Sequence, residues 1–152
     1  MENNLDQLCF EHGIAIPIEG NDRNETIIQK SLGILQEDGI FAFFIYLLSM
    51  EGKEKEGKVS IEIQKNIGKL FSDNTVGLVD SSLVDSIEKK KDILEKLRKN
   101  DKQDYAEKNK INNELLNKIK NLTDDINVLL LAKSLIEKTL IYARYQAKSM
   151  GG

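Results

Sequence analysis

An all-α fold, a helical bundle of about five to six helices, is what this sequence predicts, and three features predict it. A single proline, Pro17, interrupts 152 residues, and proline is the residue that removes a backbone donor and clashes with the preceding helical turn. Apolar residues recur three and four apart over most of the chain, the spacing that lines one face of a 3.6-residue helix. The one run with strand-favouring composition, Ile40 to Leu48, has no convincing partner strand.

Residues 1–23 read as an N-terminal arm, and 24–152 as the helical domain. Leu5, Leu8 and Cys9 can share a helical face. Gly13-Ile14-Ala15-Ile16-Pro17-Ile18-Glu19-Gly20 alternates its isoleucines and carries the proline, so it reads as an extended arm or edge strand. A helix is expected to start after Asp22 or Asn24, either a competent N-cap, with Ile27, Ile28, Leu32 and Leu35 inward. Gln36-Glu37-Asp38-Gly39 ends it with a turn signal. Ile40–Leu48 is then a short helix buried on nearly all sides, and Met50–Lys58 a charged loop. Val59 to Phe71 is helical, with Val59, Ile63, Ile67, Leu70 and Phe71 on one side. Ser82 with Asp85 resembles a capping box.

The middle of the chain predicts a long hairpin-like or coiled-coil-like segment. Leu83, Ile87, Leu94 and Leu97 form one seam, and Ile111, Leu115, Ile119 and Leu122 a second. Asn100-Asp101 and the sparse apolar content up to Asn109 suggest a bend, or two helices in an antiparallel hairpin. Thr123-Asp124-Asp125 is an N-cap signal for a last helix from Ile126 to about Met150, ended by Gly151-Gly152.

Bulk composition narrows the function classes. Hydrophobic content of 40% with 31% charged residues suits a globular domain of this length. Cys9 is the lone cysteine, so no internal disulfide can form. Met1-Glu2-Asn3-Asn4 lacks the cationic start of a signal peptide. The longest apolar run falls far short of the ~20 residues of a membrane span. A cytoplasmic protein is therefore expected. The net charge of −3 divides unevenly, −6 over residues 1–58 and +3 over 59–152, which leaves room for one basic face.

The residues offer little catalytic chemistry. Cys9 and His12 stand three apart, but a structural zinc takes about four such ligands and His12 is the only histidine. As a nucleophile–base pair they lack an orienting group. Neither phosphate-cradling glycine motif occurs. Asp124-Asp125 suits a cap, and Glu37-Asp38 a turn. The expectation is a non-enzyme without cofactor, metal, membrane anchor or small-molecule substrate.

The last helix carries the candidate binding residues. It holds Lys133, Lys138, Arg144 and Lys148 against Glu137 alone. At ~100° per residue, Lys133, Arg144 and Lys148 fall within roughly 60° of one another, in a stripe about 20 Å long. Such a row can follow a phosphate backbone, with Tyr142 and Tyr145 near enough to stack on bases. The competing reading is a solvated face whose cations offset the helix dipole, with the tyrosines as core and boundary residues. Lys89-Lys90-Lys91, Lys96, Arg98 and Lys99 alternate with acids. Asp92 with Lys96 and Glu95 with Lys99 have the spacing of intrahelical ion pairs, so this run reads as a solvated face.

Two segments together resemble a known family. Ser31-Leu32-Gly33-Ile34-Leu35-Gln36-Glu37-Asp38-Gly39-Ile40-Phe41-Ala42-Phe43-Phe44-Ile45-Tyr46-Leu47-Leu48 places an apolar helix with an Ala42-Phe43 pair after a polar-Gly turn. Leu130 to Met150 forms an amphipathic end with an aromatic and a basic residue, then small residues. The pattern is similar to the small helical subunit of Cmr-type (type III-B) CRISPR effector complexes. The resemblance implies a non-catalytic role: copies stacked along a ribonucleoprotein with other effector subunits, helping to hold guide and target RNA. It implies that Lys133, Arg144 and Lys148, with Lys138 beside them, face phosphate. The alternative expectation is a helical self-associating adaptor without nucleic acid, pairing through the 83–122 seam.

Overall fold

The computed structural model describes residues 2–99 and 105–151, and every regular element among them is an α-helix. They are α1 (Glu2–Ile14), α2 (Asn24–Asp38), α3 (Ile40–Met50), α4 (Glu54–Ser72), α5 (Ser82–Arg98), α6 (Tyr105–Leu122) and α7 (Ile126–Ser149). The count is seven where five to six were expected. The bend expected at Asn100-Asp101 lies outside the described residues.

The largest departure from expectation is α1. Residues 2–14, where Leu5, Leu8 and Cys9 offered a helical face, form a helix packed on α7 that runs into the segment read as extended from Gly13. Cys9 is fully buried there, its thiol directed at the Leu135 carbonyl 3.6 Å away. Gly13 lets the backbones meet: a Cβ at this position would stand 2.5 Å from the Thr139 carbonyl oxygen. The expected edge strand is an irregular connection with Ile16 sealed in the core.

Asn24 explains how that connection is held. Its side-chain oxygen accepts from the Ile18 N–H at 3.0 Å, and its amide donates to the Ile18 carbonyl at 2.8 Å. It thus satisfies both backbone groups of one residue instead of capping α2, whose N-cap, Arg23, makes no side-chain cap bond. The helix ends where expected, at Gly39 with φ +98°, a conformation that disfavours any Cβ.

The helix from Ile40 is not buried on nearly all sides. Phe43, Phe44 and Leu47 are in the core, but Phe41 and Ile45, four apart, are 45% and 53% exposed. The expected loop over 50–58 is shorter, since α4 begins at Glu54. α4 is the central element, touching α1, α2, α3, α5 and α7, and its polar Ser60, Gln64 and Asn66 are buried along with its apolar face.

The middle segment is the antiparallel hairpin that its two seams anticipate. Lys118 reaches Ser82, and Lys89 reaches Glu107, across α5 and α6. Leu83, Ile87, Leu94, Leu115 and Ile119 all enter the main core. The seam therefore closes on the chain itself and is not open to another helix. Ser82 is not the capping residue of a box. The N-cap position is Ser81, which makes no side-chain cap bond, and Asp80 before it accepts from both the backbone N–H and the hydroxyl of Ser82. α7 starts as expected, with Asp125 accepting from the Asn127 N–H at 2.8 Å and from Val128 N–H at 3.4 Å. It stops at Gly151, φ +100°.

Candidate functional site

The outer face of α7 is built by the helix's own register. Ala132, Leu135, Ile136, Thr139, Leu140, Ala143 and Ala147 point inward against α1 and α2, which turns the predicted basic residues toward the surface. Lys148 is exposed, and Lys133 and Arg144 are half-buried. Among the described residues none of these three has an ion-pair partner. The Arg144 guanidinium lies 5.5 Å from the ring centre of Tyr145, which is 60% exposed. Its Nε is buried without a hydrogen-bond partner among the described residues. Glu137 shares this face.

Lys138 is set apart from the other three. Its Nζ lies 3.0 Å from Asp6 on α1. The Asp6 carboxylate also accepts from the Tyr142 hydroxyl at 2.6 Å, and Tyr142 packs edge-on against Phe10 at 5.4 Å. The Tyr142 hydrogen bond, then that of Lys138, holds the Asp6 carboxyl below its ordinary value. The same bonds raise Lys138 and Tyr142 above theirs. Lys138 and Tyr142 therefore clasp α1 to α7, whereas Tyr145 is exposed beside Arg144.

The lysine run of α5 is not a uniform solvated face. Lys90 is wholly buried, its Nζ 2.6 Å from Glu51, which is wholly buried too. Lys90 also donates to Asn112 at 2.9 Å and to Gln64. Gln64 and Asn112 in turn donate to Glu51 at 2.9 and 3.2 Å. Burial pushes the Lys90 ammonium below the usual lysine range, and the Glu51 charge opposes that push. Arg98 donates to the Glu51 and Lys53 carbonyls at 3.0 and 3.2 Å, finishing the end of α3. The expected pairs Asp92–Lys96 and Glu95–Lys99 do not form. Instead Lys89 reaches Glu107 and Lys91 reaches Glu62.

No hydrogen bond joins Cys9 to His12 among the described residues. Burial raises the Cys9 thiol above its ordinary value, and its sulfur is directed at the Leu135 carbonyl. Among the described residues no group of three His, Cys, Asp or Glu side chains is placed to hold a metal ion, and no helix is long and apolar enough to cross a membrane. No protein-family model, curated protein or solved structure matches the chain.

Proposed function

We propose that this chain is a non-catalytic small subunit of a type III CRISPR RNA-guided effector ribonucleoprotein, cytoplasmic, stacking with copies of itself and other subunits along the guide–target RNA. One observation carries the reading: Lys133, Arg144 and Lys148 lie along one outward strip of α7 without a carboxylate partner among the described residues. Tyr145 stands beside them. Unpaired cations in a row release counterions when they meet phosphates, and an exposed ring offers a base a stacking surface.

The test is RNA binding by the purified chain over a salt series. Affinity is expected to be weak and to fall steeply with salt. In the Lys133→Glu/Arg144→Glu/Lys148→Glu variant the salt slope should flatten by about 0.7–0.9 per lost phosphate contact. Lys138→Gln is the control, because Asp6 already neutralises Lys138 and a neutral amide puts no second negative charge beside it. Salt-independent binding, or a triple variant that binds as the parent does, rules the reading out.

A second reading, a self-associating helical adaptor without nucleic acid, is favoured by the apolar residues left on the surface. Phe41 and Ile45 on α3, and Ile126 and Leu130 at the start of α7, are exposed at four-residue spacing. Association lost in Phe41→Asp/Ile45→Asp, from a chain inert toward RNA, supports this reading over the first.

A further inference from the structure

A cleft of about 380 Å³ lies between α4, α5 and the connection after α1, away from the α7 face. Its two helical walls carry the same pattern. Lys58, Ile61, Glu62 and Lys65 on α4 are matched by Lys91, Leu94, Glu95 and Arg98 on α5. Each set reads cation, apolar, acid, cation at i, i+3, i+4 and i+7, one helical face. The helices run antiparallel, with Lys65 near Glu88 and Lys91 near Glu62. Each end of the cleft therefore receives one cation from each helix: Lys58 with Arg98, and Lys65 with Lys91.

The ends differ in what the cations already hold. Lys65 pairs with Glu62 at 3.2 Å and Glu88 at 3.6 Å, and Lys91 with Glu62 at 3.8 Å. At the other end Lys58 is exposed and makes no ion pair among the described residues. Arg98 donates only to neutral carbonyls, and its Nε is buried without a partner among the described residues. Among the described residues Glu95 lines this end of the cleft, and Glu54 and Lys99 stand in the hollow that adjoins it, so one positive charge is left over. Between the ends Ile61 and Leu94 form an apolar floor, with Pro17 and Ile18 beside it. The seven residues from one end to the other span about 10 Å at 1.5 Å per residue.

We propose that this cleft binds a small carboxylate with an extended apolar tail, the carboxylate at Lys58 and Arg98 and the tail over Ile61 and Leu94. A paired end rejects the anion, and the unpaired end attracts it, so the ligand enters in one orientation. Pockets of this size and mixed lining suit small ligands, and charge-assisted bonds to a carboxylate are the strong kind. The proposal is independent of the RNA reading, since none of these residues lies on α7.

The probe is decanoate, titrated below its micellar concentration into the isotope-labelled full chain and followed by amide NMR shifts. Saturable shifts confined to residues near 15–18, 58–65 and 91–98 are expected. Decanol, which has the tail without the charge, should bind about tenfold or more weakly, the scale of one charge-assisted bond. Lys58→Glu, a surface change that leaves the spectrum folded, should weaken decanoate by at least that factor. Glu95→Gln should tighten it. No saturable response, shifts elsewhere in the chain, equal affinity for decanol, or an unchanged Lys58→Glu variant would each overturn the proposal.

Discussion

The ammonium of Lys90 stands 2.6 Å from the carboxylate of Glu51, and neither side chain touches solvent. Gln64 and Asn112 each donate to Glu51 and each accept from Lys90, so the four side chains close a ring of hydrogen bonds. The ring ties the end of α3 to α4, α5 and α6. Removing one member of a buried pair strands the other charge, at a cost of about 3–5 kcal/mol, a large part of a domain's usual 5–15 kcal/mol. Lys90→Met should therefore lower the urea midpoint severely. Glu51→Met/Lys90→Met should recover part of that loss, because no charge is stranded, while Asn112 loses its bonds to both and Gln64 keeps only Ser60, at about 1–3 kcal/mol for an unsatisfied group. A Lys90→Met variant with the parent's midpoint would show that the pair is not what holds these helices together.

Two glycines set how closely helices approach. A Cβ at Gly57 would lie 2.5 Å from the Glu51 carbonyl oxygen and 2.6 Å from the Arg98 guanidinium. At Gly13 it would lie 2.5 Å from the Thr139 oxygen and 2.8 Å from the Tyr142 Cβ. Both neighbours include backbone, which cannot swing aside, so Gly57→Ala and Gly13→Ala should each destabilise by about 1–3 kcal/mol. Gly33, inside α2, has nothing within 4 Å of the added atom. Gly33→Ala should stabilise by about 0.5–1 kcal/mol through helix propensity. Thermal unfolding of the three variants checks both signs, and a stabilised Gly57→Ala would contradict the geometry.

These two glycines also mark how far the sequence could be read. The seams of Leu83–Leu97 and Ile111–Leu122, the stop at Gly39 and the cap at Asp125 were legible because each depends on local spacing or local chemistry. Gly13 looked like the border of an extended arm, since the contact that requires it comes from α7, some 130 residues later. α1 was obscured for a related reason. Of its residues whose side chains are described only Cys9 and Gly13 are buried, and the weak trio Leu5, Leu8 and Cys9 gains meaning only against α7. Lys90 was hidden among Lys89, Lys91 and their acids, where i, i+4 spacing suggested surface pairs. Only the tertiary placement of Glu51 distinguishes it from its neighbours. Of the candidate RNA-binding residues, spacing placed Lys133, Arg144 and Lys148 on one surface strip. It could not separate Lys138, which Asp6 on α1 engages.

The clasp of Asp6 with Tyr142 and Lys138 gives a pH signature. Asp6 is depressed below its ordinary 3.8, so its contribution is present above that value and lost as pH falls through the folded-state pKa. Lys138 is raised above 10.5 and Tyr142 above 10.0. Their contributions are present below those values and lost as pH rises through the folded pKa values. The stability difference between the parent and Asp6→Asn should thus be flat between about pH 5 and 9, shrink toward zero in strong acid, and shrink again in strong base. Urea midpoints of both proteins across pH check this. A difference that stayed constant into strong acid would show that the carboxylate charge is irrelevant to the α1–α7 contact.

Leu94 and Phe41 make opposite predictions although both are large apolar residues on helices. Leu94 and Leu115 are 3% and 2% exposed and belong to the core. A carboxylate placed there would be desolvated without a partner, so Leu94→Asp or Leu115→Asp should unfold the chain, abolishing helical circular dichroism at 37 °C or shifting its melt far downward. Phe41 and Ile45 are about half exposed and face outward from α3. Their replacement by Asp removes little buried area and places the charge in water, so each change should cost about 0.5 kcal/mol or less, the range of ordinary surface substitutions. The folded Phe41→Asp/Ile45→Asp protein then isolates assembly from folding. Partner or self-association lost in this variant, with its melt intact, assigns the α3 face to contact between molecules. Association retained in it, beside an intact fold, assigns contact elsewhere and leaves Ile126 and Leu130 on α7 as the next apolar pair to alter.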